Sequence, residues 1–253
     1  ACNLRDPENV VRAWKCFAQA YSFYPLSTIF QYYGPAHHGI VWPLYLRQVC
    51  RSLPKTWLPD TMPAGDAICE CLGAHSLGET ATLCQKMAET WEEGLRIFHA
   101  TENPEEKILY SAIGILFSSA TNILTFYELR RRFVEEGSVE KTELFLNRMA
   151  ELVKKEIGNC RKMIEYCKAD SRLGYHSEAE IHKFFPEKIE WREHALTELL
   201  EKEFPSVKEE IQQGKSAWDV IVNTENMLHI GETGSASLLS VMVTEEAMHK
   251  VIH

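Results

Sequence analysis

None of the short motifs that mark phosphate cradles, zinc proteases or serine hydrolases occurs in the 253 residues. There is no GxGxxG, no GxxxxGK(S/T), no HExxH and no GxSxG. No CxxC is present either. The nearest thing among the eight cysteines is Cys69-Glu-Cys71, which lacks the partner pair a zinc site needs. The chain is too long for a disulfide scaffold. Cys2, Cys16, Cys50, Cys69, Cys71, Cys84, Cys160 and Cys167 therefore read as thiols of a reducing compartment, which points to the cytoplasm. Cys16, Cys84 and Cys160 fall in helical patterns and read as small buried residues. No basic segment followed by an apolar run opens the chain, so no signal peptide is expected.

Positive charge is scarce as well. Twenty-seven Lys and Arg face 36 Asp and Glu, for a net charge of -9. A field of that sign repels phosphate backbones and argues against a general nucleic-acid partner. The one basic cluster, Arg130-Arg131-Arg132, precedes Glu135-Glu136 and is expected to be a solvated helix end. Charge of either sign is missing from Ile108 to Tyr127, "ILYSAIGILFSSATNILTFY". Twenty such residues are long enough to span a bilayer. The segment nevertheless holds Ser111, Ser118, Ser119, Thr121, Asn122 and Thr125, set behind a helical stripe of large apolar residues. That pattern fits a core helix packed on several neighbours, and no membrane association is expected.

What is there is ordinary globular composition, 45% hydrophobic and 25% charged, with enough chain for a real core. Asp6-Pro7-Glu8 opens a first helix whose apolar face is read as Val10, Val11, Trp14, Phe17, Ala18 and Tyr21. Residues 22–74 carry six of the ten prolines and predict a long irregular stretch with short helical turns. Ser76-x-x-Glu79 is a capping box for a helix to about His99. Asn103-Pro104 opens the charge-free helix, which stops at Gly137, and Ser138 opens another to about Lys168. Ser177-x-x-Glu180 reads as a second capping box, starting a helix that Pro186 restarts or kinks and that ends near Phe204-Pro205. A short helix comes next, from Val207 to Gln213. After Asn226 the alternation around Gly231-Glu232-Thr233-Gly234 reads as a β-hairpin. The expected fold is mainly α. Residues 1–225 form a bundle of about five longer helices with a Pro-rich loop region, and residues 226–253 form a small β-hairpin tail packed on it.

Two stretches carry functional chemistry. Ten of the chain's 26 aromatics lie between Trp14 and Tyr45. "QYYGPAHHGIVWPLY" gathers Tyr32, Tyr33, His37, His38 and Trp42 on a Gly/Pro-rich loop. Rings with polar tips on a loop suit stacking on a sugar and bonding to its hydroxyls, or else pin the loop to the helices beneath. Adjacent histidines on extended chain point opposite ways, so His37-His38 does not read as a metal pair. The second stretch is "ADSRLGYHSEAEIHKFFPEKIEW", Ala169 to Trp191. Asp170 and Arg172 can pair across the turn, and Gly174 can supply a positive φ. Tyr175 and His176 stand at the corner, where a helix N-terminus would face an anion. A helix from Ser177 would put Glu178 and His182 on one face. No metal and no cofactor is assigned.

"DSRLGYHSEAE", Asp170 to Glu180, resembles a segment near the C-terminus of large bacterial proteins related to glycoside hydrolases. In those proteins a (β/α) barrel precedes a helical region, as in α-glucuronidases and relatives of family-20 hexosaminidases. "ACNLRDPENVVRAWKCFAQAY", "YYGPAHHGIVWPLYL" and "CLGAHSLGETATLCQKMAETWEEGL" are similar to parts of such a region, so the resemblance covers most of residues 1–230. Enzymes of that kind keep their paired carboxylates on barrel strands. The resemblance therefore implies a helical accessory domain whose partner is the catalytic barrel of the same parent protein. Tyr32, Tyr33, His37, His38, Trp42, Asp170, Arg172, Tyr175, His176 and Glu178 would then line a carbohydrate subsite, and the catalytic residues lie elsewhere. Two other readings stand beside it. One is a helical protein–protein interaction module with Trp42 in its hot spot. The other is a freestanding enzyme with an acid/base or metal site near His176 and His182.

Overall fold

The structure is a computed structural model that describes residues 5–54, 63–101, 104–136, 139–177 and 180–222. The chain is mainly α. Its helices are α1 (Pro7–Tyr21), α2 (Thr28–Tyr33), α3 (Leu77–His99), α4 (Pro104–Glu136), α5 (Val139–Ala169), α6 (Pro186–Glu198), α7 (Phe204–Gln212) and α8 (Ala217–Ile221). Five of them, α1, α3, α4, α5 and α6, are the longer ones. One small antiparallel ribbon, β1 (Tyr175–His176) with β2 (Ile181–His182), sits between α5 and α6.

The cap signals explain where the early helices begin. The Asp6 carboxylate accepts from Asn9 N at 3.4 Å ahead of Pro7. Ser76 and Glu79 close both halves of the capping box, Glu79 N to Ser76 Oγ at 3.2 Å and Ser76 N to Glu79 Oε2 at 2.8 Å. α4 is long and apolar enough to cross a membrane by length and composition. In the fold it is the central helix, packed on α3 and α5 and also touching α8.

α1 differs from its sequence reading. Val10, Ala13, Phe17 and Ala20 are buried, whereas Val11, Trp14, Ala18 and Tyr21 form a second, exposed stripe. The helix thus has two apolar faces. The first packs on α3, where Phe17 stacks on Trp91 with ring centroids 4.2 Å apart.

The Pro-rich stretch is irregular with short turns in its described parts, as expected, and buried charge fixes it. Arg130, read from sequence as part of a solvated helix end, is 1% exposed. Its guanidinium donates to Asp66 Oδ2 at 3.0 Å and to the Tyr45 carbonyl at 2.8 Å. Asp66 also accepts from the backbone N–H groups of Val49 and Arg51. The loop's carbonyl and amide groups, which have no ladder of their own, find partners in this way. Arg131 and Arg132 do behave as expected and pair with Glu128 and Glu135 at the surface.

The Ser177 capping box does not form. Ser177 follows β1 and Glu180 precedes β2, Glu180 N bonds Ser177 O at 3.3 Å, and Glu180 has φ 51°. α6 begins only at Pro186. It does not end at Phe204-Pro205 either. A π turn, Leu199–Glu203, absorbs the missing Pro205 N–H and hands the chain on to α7. The expected hairpin after Asn226 and the caps at Asn103 and Ser138 lie outside the described residues.

Candidate ligand site

The loop carrying the two histidines is laid tightly on the bundle. Ser27 caps α2 through Phe30 N at 3.0 Å, and α2 ends where Gly34 N bonds Phe30 O at 2.7 Å. Gly39 N then bonds Pro35 O at 2.8 Å, and a 3-10 turn, Gly39–Val41, settles against α4. A Cβ at Gly39 would come within 2.8 Å of Ile123 Cδ1, so glycine permits this close approach. The turn drives His38 inward, to 1% exposure, and leaves His37 at the surface. Tyr24 Oη sits 3.2 Å from His37 Nε2. His38 and Trp42 meet edge to face, with centroids 5.4 Å apart, and Trp42 too is 1% exposed.

A buried network holds this turn from behind. Arg192 of α6 donates through Nε to the Trp42 carbonyl and through Nη2 to Glu156 Oε2 at 2.6 Å. Glu156 of α5 also accepts from Ser119 Oγ at 2.6 Å, Asn122 Nδ2 at 2.6 Å and Asn159 Nδ2 at 2.7 Å. Both members of the ion pair are fully buried. Every oxygen of the carboxylate is therefore used, the condition under which a buried charge is tolerated.

The second stretch comes in from the other side. Asp170 accepts from Arg172 N at 3.0 Å and pairs with its guanidinium at 2.6 Å, which holds the Asp170 carboxyl down to about 2. Gly174 takes φ 81°, and its carbonyl accepts from Lys183 N at 2.7 Å. The ribbon pairs Tyr175 with His182 and His176 with Ile181. Directly opposed residues share a face, so Tyr175 and His182 point outward and touch at 5.4 Å between centroids, while His176 and Ile181 are half-buried.

The two stretches come near enough for their imidazoles to interact electrostatically. Although His37 is exposed as a residue, the protein packed around its ring takes enough water from it to lower its basicity, and His176 lowers it further. Burial, with Lys183, His37, Lys188 and His176 around it, pushes His38 down to about 3, so that ring is neutral at physiological pH. Lys183 is itself 3% exposed. His38 Nδ1 and Nε2, Trp42 Nε1 and His176 Nδ1 are all buried, and none has a hydrogen-bond partner among the described residues. Buried polar atoms without partners are uncommon and costly, so the His38 and Trp42 nitrogens, whose rings meet edge to face, mark a place for a ligand or ordered water.

The ten residues singled out from sequence thus divide. His38 and Trp42 meet edge to face, and His37 and His176 lie within electrostatic range of His38. Tyr32 is exposed, Tyr33 packs half-buried on the core, and Asp170, Arg172 and Tyr175 shape the turn. Glu178 lies outside the described residues. Trp42 is no exposed anchor, because its ring is inside the cluster. His176 and His182 lie on opposite faces of the ribbon, so one ion cannot bind both. Among the described residues no group of three or more His, Cys, Asp or Glu is placed to hold a metal.

Tyr24, Lys183, Glu156 and Arg192 were not singled out from sequence. Glu156 and Arg192 do carry a signal, since each interrupts an apolar stripe: Met149, Val153, Cys160 and Met163 in α5, Ile189 and Leu196 in α6. Two clefts of about 570 and 380 Å³ run along the small polar face of α4 and join at Ser118. None of the ten residues lines them. Comparison with protein-family models, with curated proteins and with solved structures gave no match.

Proposed function

We propose that this chain is a helical accessory domain of a glycoside-hydrolase-like protein, packing on a catalytic barrel and lending it one wall of a carbohydrate subsite. One observation carries the reading. The two stretches that resemble such proteins come within electrostatic range of each other at His37, His38 and His176, and His38, Trp42 and His176 each carry buried ring nitrogens without partners among the described residues. Sugars present many hydroxyls, and such groups suit a site of this composition. The chain alone is expected not to hydrolyse glycosides. Hydrolysis by this chain, lost on Glu178→Gln, would contradict the accessory role.

The test is a thermal-shift screen of the chain against neutral sugars, uronic acids and amino sugars. A ligand that binds only the folded state raises the midpoint, by an amount that grows with the logarithm of its concentration over Kd. A sugar-dependent rise that disappears in His176→Ala supports the subsite. A flat response across the panel counts against it.

The interaction-module reading keeps one supporting observation of its own. Val11 is 45% exposed, Trp14 39% and Tyr21 52%, and Leu26 after the helix is 86% exposed. An apolar face of this kind suits contact with another protein surface.

A further inference from the structure

We propose that the trough formed by the two clefts along α4 binds an uncharged glycan, whose hydroxyls donate to the side-chain carbonyl oxygens of Asn122 and Asn159 and accept from Ser118. The proposal rests on the carbohydrate reading above, but it places a sugar on residues other than His38 and His176.

The trough is long and its floor is made of small side chains. From Ser111 to Leu129 it follows about 27 Å of α4, with α3 as one wall and α5 as the other. Gly114, Ser118, Thr121 and Thr125 are half-buried along it, at spacings that put all four on one face of the helix. Side chains of that size do not close the gap between the walls, which leaves the two volumes of about 570 and 380 Å³. Small-molecule sites are commonly of this size.

The chemistry where the clefts join selects the ligand. Ser118 lines both clefts, Asn122 lines one and Asn159 the other. Asn122 is 7% exposed. Its Nδ2 donates to Glu156 Oε1 at 2.6 Å, and Asn159 Nδ2 donates to the same oxygen at 2.7 Å. Arg192 and Ser119 donate to Oε2, so the carboxylate accepts on both sides. Each amide must therefore turn its NH2 group to Glu156. Its carbonyl oxygen is left without a donor among the described residues. Ser118 Oγ accepts from Asn159 Nδ2 at 3.4 Å and keeps its own O–H to give. The junction thus offers two fixed acceptors and one donor. A carboxylate or phosphate has nothing to donate to the acceptors. An ammonium group does, but little here would draw it in. Gln85 already bonds Glu89, Lys154 already pairs with Glu151, and Arg96, Arg148, Lys155 and Lys162 stand exposed on the walls. Neutral hydroxyls donate and accept without charge, and a chain of sugar rings supplies them along an elongated site.

The experiment is a titration of the ¹⁵N-labelled full chain, followed by NMR at the side-chain amides of Asn122 and Asn159. The probes are uncharged oligosaccharides of glucose, xylose and mannose, their permethylated forms, an oligouronate and an amino-sugar oligomer. A neutral oligosaccharide should shift both amides. Its permethylated form, which has no O–H to donate, should shift neither. Asn159→Ala and Ser118→Ala should each weaken binding about fivefold, the worth of one hydrogen bond. Ser118→Ala takes no donor away from Glu156, so it decides the matter if Asn159→Ala does not fold. His176→Ala should leave the amide shifts as they are.

Tighter binding of the oligouronate or the amino-sugar oligomer than of the neutral chains would overturn the assignment. So would neutral binding that survives permethylation, or that neither alanine variant weakens. Sugar binding lost in His176→Ala and indifferent to Ser118→Ala and Asn159→Ala would discard the trough and keep the carbohydrate reading at the histidines. If no sugar shifts these amides or raises the midpoint, the two fail together.

Discussion

Arg192 and Glu156 show how much rests on single side chains here. Arg192 spans three elements: it lies on α6, pairs with Glu156 on α5 and bonds the Trp42 carbonyl in the loop that carries His38. Removing one member of such a pair strands the other as a buried, uncompensated charge. Arg192→Met is therefore expected to destabilise the chain by about 3–5 kcal/mol, read from denaturant unfolding. Arg192→Met combined with Glu156→Leu should recover part of that loss, since an apolar pair of similar volume is tolerated. A loss below about 1 kcal/mol for the single variant would mean that water reaches Glu156 and the network does not hold the loop. The sequence offered only the interrupted stripes as a hint. Pairing across 36 residues, and the reach to Trp42 across 150, depend on helix packing that no local pattern encodes.

Local signals succeeded or failed according to the stretch of chain behind them. Ser76-x-x-Glu79 caps α3, because an unbroken apolar period runs from it to His99. Ser177-x-x-Glu180 has the same letters and caps nothing. A helix begun there would meet Pro186 within three turns, and the chain instead closes on itself through Gly174 and Lys183. Gly174 is the residue on which that reversal depends. At φ 81° a side chain is strained, and a Cβ would stand 2.1 Å from the Phe184 carbonyl. Gly174→Ala should cost about 2 kcal/mol or more, from the positive φ and the overlap together. The ribbon is the part that should open first, so hydrogen exchange at Lys183 N–H should rise more than at the core of α4. An Ala variant with unchanged exchange at Lys183 would show that the turn tolerates a side chain by shifting. The positive φ was legible from the Gly placed after Asp170-Ser-Arg-Leu, but the ribbon was not, because two-residue strands have no period to read.

The chain as an assembly of helices leaves large apolar side chains open to solvent at and just after α1. α1 buries one apolar stripe against α3; beside it Trp14 donates to Tyr110 Oη at 3.1 Å and Tyr21 packs edge-on to Trp91 and Phe117, while Val11 and, after the helix, Leu26 stay exposed. Val11→Glu and Leu26→Glu should each change stability by less than about 0.5 kcal/mol, measured by unfolding of the isolated chain. If the accessory reading holds and this face meets the barrel, the double variant should also weaken association with the catalytic part of the parent protein in a binding assay. A strong loss of stability would place these residues in the fold instead, and unchanged association would place the interface elsewhere.

Composition and period determined the fold class. Five longer amphipathic helices, a Pro-rich crossing and a helical stripe through Ile108–Tyr127 are all written locally, since a helix registers its buried face every three to four residues. Several candidate residues were legible for a similar reason: aromatics and histidines crowded into a Gly/Pro-rich loop stand out against ordinary core. Tertiary structure alone decided which of them belong together. It turned Trp42 inward, set His176 and His182 on opposite faces, buried Arg130 against Asp66, and left Val11 and Leu26 exposed. Each of these depends on a contact between segments far apart in sequence, where side-chain direction is fixed by the neighbouring element and not by the residue's own surroundings in the chain.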